Sequence, residues 1–142
     1  MIAVDTNVLI HAHRSESAWH MAARARLVSL AEGPARWGLP VFCVAEFMRV
    51  VTHGRVFNPP SSVSQAAGFI ENLVAAPTCE LVRPGTEFLD LLMETARQSD
   101  ARGNLMFDAQ IAALCQEHGI DTVLTNDRDF ERFDGLRVET LN

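Results

Sequence analysis

The chain contains no lysine and no tyrosine, and all twelve of its basic residues are arginines. Without lysine the sequence cannot encode a Walker P-loop or a Schiff-base mechanism, because both depend on a lysine amine. The formal net charge is −6, which argues against a protein that binds nucleic acid through bulk charge alone. An RNA or DNA substrate would therefore need local arginines or bound cations to attract it.

Long apolar runs and closely spaced cysteines are also absent. The longest apolar stretches, such as Val41–Ala45 and Leu73–Ala76, are too short to cross a bilayer. The N-terminus lacks the basic start and apolar region of a signal peptide, so we expect a cytoplasmic protein with no membrane segment. The three cysteines are odd in number and far apart, which predicts core positions instead of disulfides or a zinc site. They are Cys43, Cys79 and Cys115.

Strand-length apolar runs alternate with helical patterns along the whole sequence. With 142 residues, of which 48% are hydrophobic and 21% charged, the chain is expected to form a single domain over residues 1–142. This alternation is typical of an α/β fold, here three α/β/α layers around a central, mostly parallel sheet of about five strands. The expected strands are Ile2–Val4, Arg36–Leu39, Cys79–Arg83, Thr122–Thr125 and Arg137–Leu141, the last at an edge.

Helices are predicted between these strands. Pro40 is expected early in one helix, Ser62 as the N-cap of a helix over Val63–Val74, and Thr86–Arg97 as another helix. Apolar residues at helical spacing predict two buried helix faces. The first face comprises Val44, Phe47, Met48 and Val51, and the second comprises Phe107, Ile111, Leu114 and Cys115.

Two carboxylates stand directly after predicted strands. Asp5 follows Ile2–Val4, and Asp127 comes two residues after Thr122–Thr125. Ligands of open parallel sheets bind beyond the carboxyl ends of the strands, so both side chains are expected at the same rim. Taken alone, Asp5 could also be a helix N-cap and Asp127 an Asx-turn residue.

Two further carboxylates lie on predicted helices. Glu46 interrupts an apolar helix turn, and its neighbours Ala45 and Phe47 are expected to pack inward, which would place Glu46 beside the core. Asp108 falls in the first turn of its helix, where the helix dipole favours an anion. The simpler alternatives are an ion pair between Glu46 and Arg49, and a purely helix-stabilising role for Asp108.

Four carboxylates in one pocket would repel each other, at a cost of about 4 kcal/mol per pair at 4 Å in a medium of moderate dielectric. Either protonation or divalent cations must relieve this repulsion. Hard oxygen ligands are those that Mg²⁺ or Mn²⁺ prefers, and such a metal promotes in-line attack on a phosphodiester. The candidate catalytic and metal-binding residues are therefore Asp5, Glu46, Asp108 and Asp127.

Four stretches carry a family resemblance, in this order: VDTNVLIHAHR, VAEFMRVVTHGRVF, GNLMFDAQIAAL and LTNDRDFERFDGL. The combination resembles the PIN-domain ribonucleases and, among them, the VapC-type toxins of bacterial toxin–antitoxin pairs. In this resemblance the acidic quartet falls on the same four residues, and Thr125 matches the hydroxyl residue that accompanies the last acid. It implies a PIN-like domain with Mg²⁺- or Mn²⁺-dependent endoribonuclease activity. It also implies a homodimer and inhibition by a cognate VapB-type antitoxin.

Some alternatives stay open at this point. Asp129 could share the role of Asp127, although Phe130 is expected to anchor the loop and leave Asp129 facing water. Single-stranded or loop RNA is the expected substrate, and five arginines are candidates for contacting it: Arg14, Arg49, Arg55, Arg102 and Arg128. A haloacid-dehalogenase-type phosphohydrolase is disfavoured, since Asn7 replaces its second acid and lysine is absent. The alternative function is a catalytically inactive PIN-like module that binds RNA or protein.

Overall fold

A single parallel sheet of five strands forms the centre of the molecule. The computed structural model describes residues 1–142. The strands are β1 (Ile2–Val4), β2 (Trp37–Pro40), β3 (Cys79–Val82), β4 (Thr122–Leu124) and β5 (Arg137–Glu139). Their order is β3-β2-β1-β4-β5, and every neighbouring pair is parallel. Each strand lies within two residues of its predicted bounds, and β5 is at an edge, as predicted.

Six α-helices connect the strands. They are α1 (Thr6–His13), α2 (His20–Glu32), α3 (Val41–Val51), α4 (Val63–Val74), α5 (Phe88–Ser99) and α6 (Leu105–Glu117). A short 3₁₀ helix, Arg128–Arg132, joins β4 to β5. Ser62 caps α4 in a reciprocal capping box with Gln65, as its position predicted, whereas Pro40 ends β2 and caps α3 instead of lying inside the helix. None of these helices has the length and apolar character needed to cross a membrane.

The helices form two layers on either side of the sheet, which confirms the predicted three-layer fold. Helix α1 packs against α2 and α3, α3 packs against α4, and α5 packs against α6. The chain builds β1, β2 and β3 in one direction and then crosses back to add β4 and β5 beside β1. The winding direction therefore reverses between β1 and β4, and this is the place where an open α/β sheet offers a ligand site.

The core is apolar and continuous on both faces of the sheet. Its largest fully buried side chains are Trp37, Phe47 and Phe130. The indole N–H of Trp37 donates a hydrogen bond to the hydroxyl of Thr78, 3.2 Å away, so its burial leaves no polar group unsatisfied. Cys43 and Cys115 are buried in this core as predicted, while Cys79 is only half-buried, and all three thiols are free.

The predicted face of α6 is wrong at its N-terminal end, whereas the predicted face of α3 packs against the core at all four positions. In α6, Ile111 and Leu114 are buried, but Phe107 is 61% exposed. Phe107 lies in the first turn of α6, at the rim of a cleft, where no core surface faces it. In α3 the buried residues include Phe47, whereas Ala45, predicted to pack inward, is exposed. Helical periodicity gives the direction of a side chain but not how far the core extends along the helix.

Candidate functional site

The predicted site residues meet where β1 and β4 end. Val4 and Leu124 are paired across the two strands, and the N–H of Asp5 donates to the carbonyl of Leu124 at 3.0 Å. Both strands therefore deliver the following residues to the same rim. A cleft of about 390 Å³ opens there. Its lining includes all four predicted residues together with one more acid: Asp5, Glu46, Asp108, Asp127 and Asp129.

Asp5 is a nearly buried carboxylate, 7% exposed, at the floor of this cleft. It is also the N-cap of α1, because its Oδ1 accepts a hydrogen bond from the N–H of Thr6 at 2.8 Å. The capping alternative and the site prediction are thus both compatible with the structure. Burial raises the pKa of Asp5, and the negative charges of Glu46 and Asp127 add to the shift. A cation at this rim would relieve both effects.

Asn7 and Thr125 hold the other oxygen of Asp5. The Thr125 hydroxyl donates to Asp5 Oδ2 at 2.8 Å, and the Asn7 amide Nδ2 donates to the same oxygen at 2.9 Å. Asn7 Nδ2 also donates to the Thr125 hydroxyl at 2.8 Å, while its Oδ1 accepts from the backbone N–H of Asn126 at 3.1 Å. One amide therefore ties the end of β1 to the loop after β4. This fixes the orientation of the Asp5 carboxylate.

Three more carboxylates cluster above Asp5. Oxygen atoms of Asp108, Asp127 and Asp129 all lie within 4.8 Å of one another. Asp108 reaches the cluster from the first turn of α6, and its pKa is raised to about 7, chiefly by desolvation and next by the charge of Asp127. Desolvation and the mutual repulsion of these acids make the cluster a place where a bound cation would be stabilising.

Asp127 forms an Asx turn and faces the cluster at the same time. Its Oδ1 accepts a hydrogen bond from the N–H of Asp129 at 2.9 Å, and its own N–H donates to the Thr125 hydroxyl at 2.9 Å. Phe130 is fully buried and anchors the loop, as the sequence predicted. Asp129 is exposed, as expected, but its carboxylate still reaches the cluster, so a share for Asp129 in the role of Asp127 stays open.

Glu46 also lines the cleft, but it does not belong to the group formed by Asp108, Asp127 and Asp129. Its side chain is 46% exposed, so the prediction that it lies beside the core is wrong. The Thr6 hydroxyl donates to Glu46 Oε2 at 3.2 Å, and Arg49 stands 4.0 Å from Oε1. An exposed ion pair at this distance contributes little to stability. Glu46 is therefore free to take another partner.

Of the five candidate arginines, only Arg49 lines the cleft. Arg14 is committed elsewhere, because its guanidinium pairs with Glu16, donates to Ser61 and lies 4.5 Å from the centre of the Phe57 ring. Arg102 and Arg128 form ion pairs outside the cleft, with Asp100 and Glu131. Arg55 is exposed but is not part of the lining.

The donor set fits a hard divalent cation. The possible metal ligands in the cleft are oxygen atoms of five carboxylates, and the lining contains neither histidine nor cysteine. His13 instead packs against the rings of Phe47 and Phe69, and His11 hydrogen-bonds the hydroxyl of Ser17 at 2.6 Å. Mg²⁺ and Mn²⁺ prefer such oxygen ligands, whereas structural zinc favours nitrogen and sulfur.

Sequence reasoning missed the supporting roles of Thr6 and Asn7. Both follow Asp5 directly in the motif DTN, and a polar pair after a buried strand was the available signal. The hydrogen bond between Asn7 and Asp5 is local. The bonds to Glu46 and Thr125 join residues 40 and 118 positions apart. The pattern alone could not identify those partners.

A family model for the PIN domain matches residues 2–136, and the chain therefore belongs to the PIN-domain family, as its motifs predicted. Ribonuclease VapC43 of Mycobacterium tuberculosis is 40% identical over 137 residues, which cover 96% of this chain and 92% of that protein. Within the PIN domains, the chain thus groups with the VapC ribonucleases.

Solved structures confirm the fold. VapBC2 from Rickettsia felis, in complex with a DNA fragment from their promoter, aligns with a TM-score of 0.72 at 18% identity, covering 99% of this chain and 98% of that one. VapC20 of Mycobacterium tuberculosis, a toxin that cleaves the sarcin-ricin loop, aligns with a TM-score of 0.67 at 19% identity, covering 96% and 99%. At these identities the structural likeness concerns the fold alone.

Proposed function

We propose that this chain is the toxin of a toxin–antitoxin pair and acts as a divalent-metal-dependent endoribonuclease. The observation that carries the proposal is the convergence of Asp5, Glu46, Asp108 and Asp127 on one cleft at the switch point of the sheet. The ribonuclease names of relatives up to 40% identical support the reaction class. VapC20, a toxin that cleaves the sarcin-ricin loop, supports a loop as the substrate class.

In this proposal Asp5 and Asp108 are the main ligands of Mg²⁺, or of Mn²⁺ in its place. Glu46 and Asp127 complete or extend the acidic site, with Asp129 at its edge. The metal would supply Lewis-acid activation of water and neutralisation of phosphate charge. The raised pKa values of Asp5 and Asp108 support this assignment, since a bound cation would stabilise both carboxylates in their charged form.

The chain itself would then orient the reaction and move one proton. Water attacks the scissile phosphorus in line, one carboxylate of the cluster accepts its proton, the bond from phosphorus to the 3′ oxygen breaks, and the departing 3′ oxygen takes a proton from solvent. Asn7 and Thr125 keep Asp5 in its orientation through their hydrogen bonds to Oδ2. Arg49 is placed to contact a phosphate at the cleft edge.

The test is cleavage of total RNA and of single-stranded DNA by purified protein with Mg²⁺, with Mn²⁺ and with EDTA. We expect RNA fragments that require a divalent metal and that decrease at least 100-fold in Asp5→Asn. Asp90→Asn is the matched control, because Asp90 is an exposed acid on α5 outside the cleft. This variant should cleave RNA as fast as the wild type. A folded protein that binds Mg²⁺ but cuts no RNA would contradict the proposal and favour the inactive binding module.

The same proposal includes a homodimer in the cytoplasm that a VapB-type antitoxin inhibits. Several solved neighbours are VapBC assemblies, from Rickettsia felis, Salmonella typhimurium and Haemophilus influenzae, which supports a partner of this kind. Val56 is 54% exposed and supports an apolar contact surface, whereas Phe57 is covered by Arg14. Light scattering of the purified chain should give twice the monomer mass, and a monomer would contradict the dimer.

A further inference from the structure

Phe107 is an exposed aromatic side chain at the candidate site. It is 61% exposed, although a phenyl ring is among the side chains that gain most from burial. It lies on the first turn of α6, next to Asp108 in sequence, and it lines the same cleft as the carboxylates. No other aromatic residue lines this cleft.

Phe107 also differs from the other seven phenylalanines of the chain in having no aromatic or cationic partner. Six of the others contact a second aromatic ring: Phe42, Phe47, Phe69, Phe88, Phe130 and Phe133. Phe57 lies beneath the guanidinium of Arg14. The fold therefore uses every phenylalanine ring as a packing surface except the one beside the acidic cluster.

The surroundings of Phe107 combine the features that single-stranded RNA requires. The carboxylates offer a metal site for a phosphate, and Arg49 offers a cation whose ion pair with Glu46, at 4.0 Å, is loose. A nucleotide whose phosphate lies at the carboxylates carries its base a few ångströms away, within reach of the rim. Unpaired bases bind proteins by stacking on aromatic faces, and this stacking tolerates any base.

We propose that Phe107 is the stacking platform for an unpaired RNA base adjacent to the scissile phosphate. This inference rests on the proposed ribonuclease function and assigns the ring that positions its substrate. Phe107 takes no part in the bond cleavage and acts on substrate binding. Because stacking recognises the face of a base and not its edge, Phe107 favours unpaired RNA over duplex without selecting a sequence.

The test uses a 12-nucleotide single-stranded RNA that spans a cleavage site mapped in total RNA. Values of kcat and KM are measured for this RNA and for a series in which each nucleotide in turn is abasic. We expect Phe107→Ala to lower kcat/KM about 5- to 100-fold, mainly through KM, since this is the range for loss of one base–aromatic stack. In the wild type, one abasic position beside the cut should cause the same loss. In Phe107→Ala, that position should cause no further loss.

Three variants separate stacking from other roles. Phe107→Trp should retain wild-type kcat/KM, and Phe107→Leu, which keeps apolar bulk without a π face, should behave like Phe107→Ala. Leu89→Ala is the matched control, since Leu89 is 64% exposed on α5 and lies outside the cleft. It should leave cleavage unchanged.

Each contrary result has a distinct meaning. Full activity of Phe107→Leu, or fully additive losses from Phe107→Ala and the abasic position, would overturn the stacking role while the ribonuclease proposal stands. A change of oligomeric mass in Phe107→Ala with RNA cleavage intact would assign the ring to a protein interface instead. A wild-type protein that cleaves no RNA would overturn the proposed function and this inference together.

Discussion

At the scale of single residues, Asp5 shows how one side chain serves the fold and the site together. Its Oδ1 caps α1, and its Oδ2 accepts two hydrogen bonds from Asn7 and Thr125. These three donors compensate part of the cost of burying a carboxylate. They leave its charge unbalanced, because no basic side chain contacts Asp5 and the neighbouring charges are negative. The local hydrogen bonds therefore fix Asp5 in position for a cation.

Asp108 gives a prediction at the same scale. Desolvation and the charge of Asp127 raise the pKa of Asp108 from its ordinary value of 3.8 to about 7, so the metal-free native state binds a proton more tightly than the unfolded chain. The stabilisation from this proton is complete below pH 4 and is lost as the pH rises through 7. Asp108→Asn removes the titration and should raise the metal-free unfolding free energy at pH 8 by about 1 kcal/mol, after allowance for solvent screening of a half-exposed group.

Thermal unfolding in EDTA at pH 5 and pH 8 measures this effect. The wild-type Tm should fall relative to that of Asp108→Asn as the pH rises, and Mg²⁺ should restore the wild type at pH 8. The difference between the two proteins is the relevant quantity, because the lowered pKa values of His11 and His13 give a slope of opposite sign in both. Parallel Tm curves for the two proteins would contradict the raised pKa of Asp108.

At the scale of elements, β2 packs closely against its neighbours at Gly38. Gly38 lies in β2, and a Cβ atom there would stand 2.9 Å from Val82 Cγ2 and 3.1 Å from Ile120 Cδ1. The missing side chain lets these two residues close over the strand beside β1. Gly68 in α4 has the opposite environment, since a Cβ atom would meet nothing within 4 Å.

The same substitution should therefore have opposite effects in the two elements. Gly38→Ala overfills the core and should lower the free energy of unfolding by about 1 kcal/mol or more. Gly68→Ala adds helix propensity without a clash and should raise it by about 0.5–1 kcal/mol. Urea unfolding of both variants and the wild type measures the two free energies of unfolding, and each variant serves as the control for the other. A stabilising Gly38→Ala would show that Val82 and Ile120 repack freely.

At the scale of the whole molecule, the net negative charge does not attract RNA. The net charge is −6, and Arg49 is the single arginine that lines the cleft. The other eleven arginines do not line the cleft. Substrate binding in the proposed reaction then depends on the metal, on Arg49 and on stacking, each of which acts at short range.

This distribution predicts a weak dependence on salt. The salt slope for single-stranded nucleic acid is about −0.7 per phosphate neutralised, so two or fewer such contacts give less than about a tenfold rise in KM between 50 and 200 mM NaCl. Cleavage of the 12-nucleotide RNA at fixed Mg²⁺ concentration is the measurement. A rise of 100-fold or more would indicate several basic contacts, as a dimer surface with arginines from both chains would provide.

Element order, the parallel sheet and the choice of four acids that line the cleft could all be read from the sequence. Strand and helix periodicities are local properties, and a carboxylate directly after a buried strand must emerge at the carboxyl rim, as Asp5 does. These features need no knowledge of distant contacts.

Which side chains meet at the rim could not be read from the sequence and is set by the folded packing. Asn7 joins Asp5 to Thr125 across 118 positions of the chain, and Asp129 reaches the carboxylate cluster although it is exposed. Phe107 continues a buried helical pattern, yet it is exposed because the core ends before the first turn of α6. Arg14 and Arg49 look equivalent in sequence, but packing on Phe57 holds the first away from the cleft. Such outcomes depend on the separation of groups far apart in sequence, which only the folded packing sets.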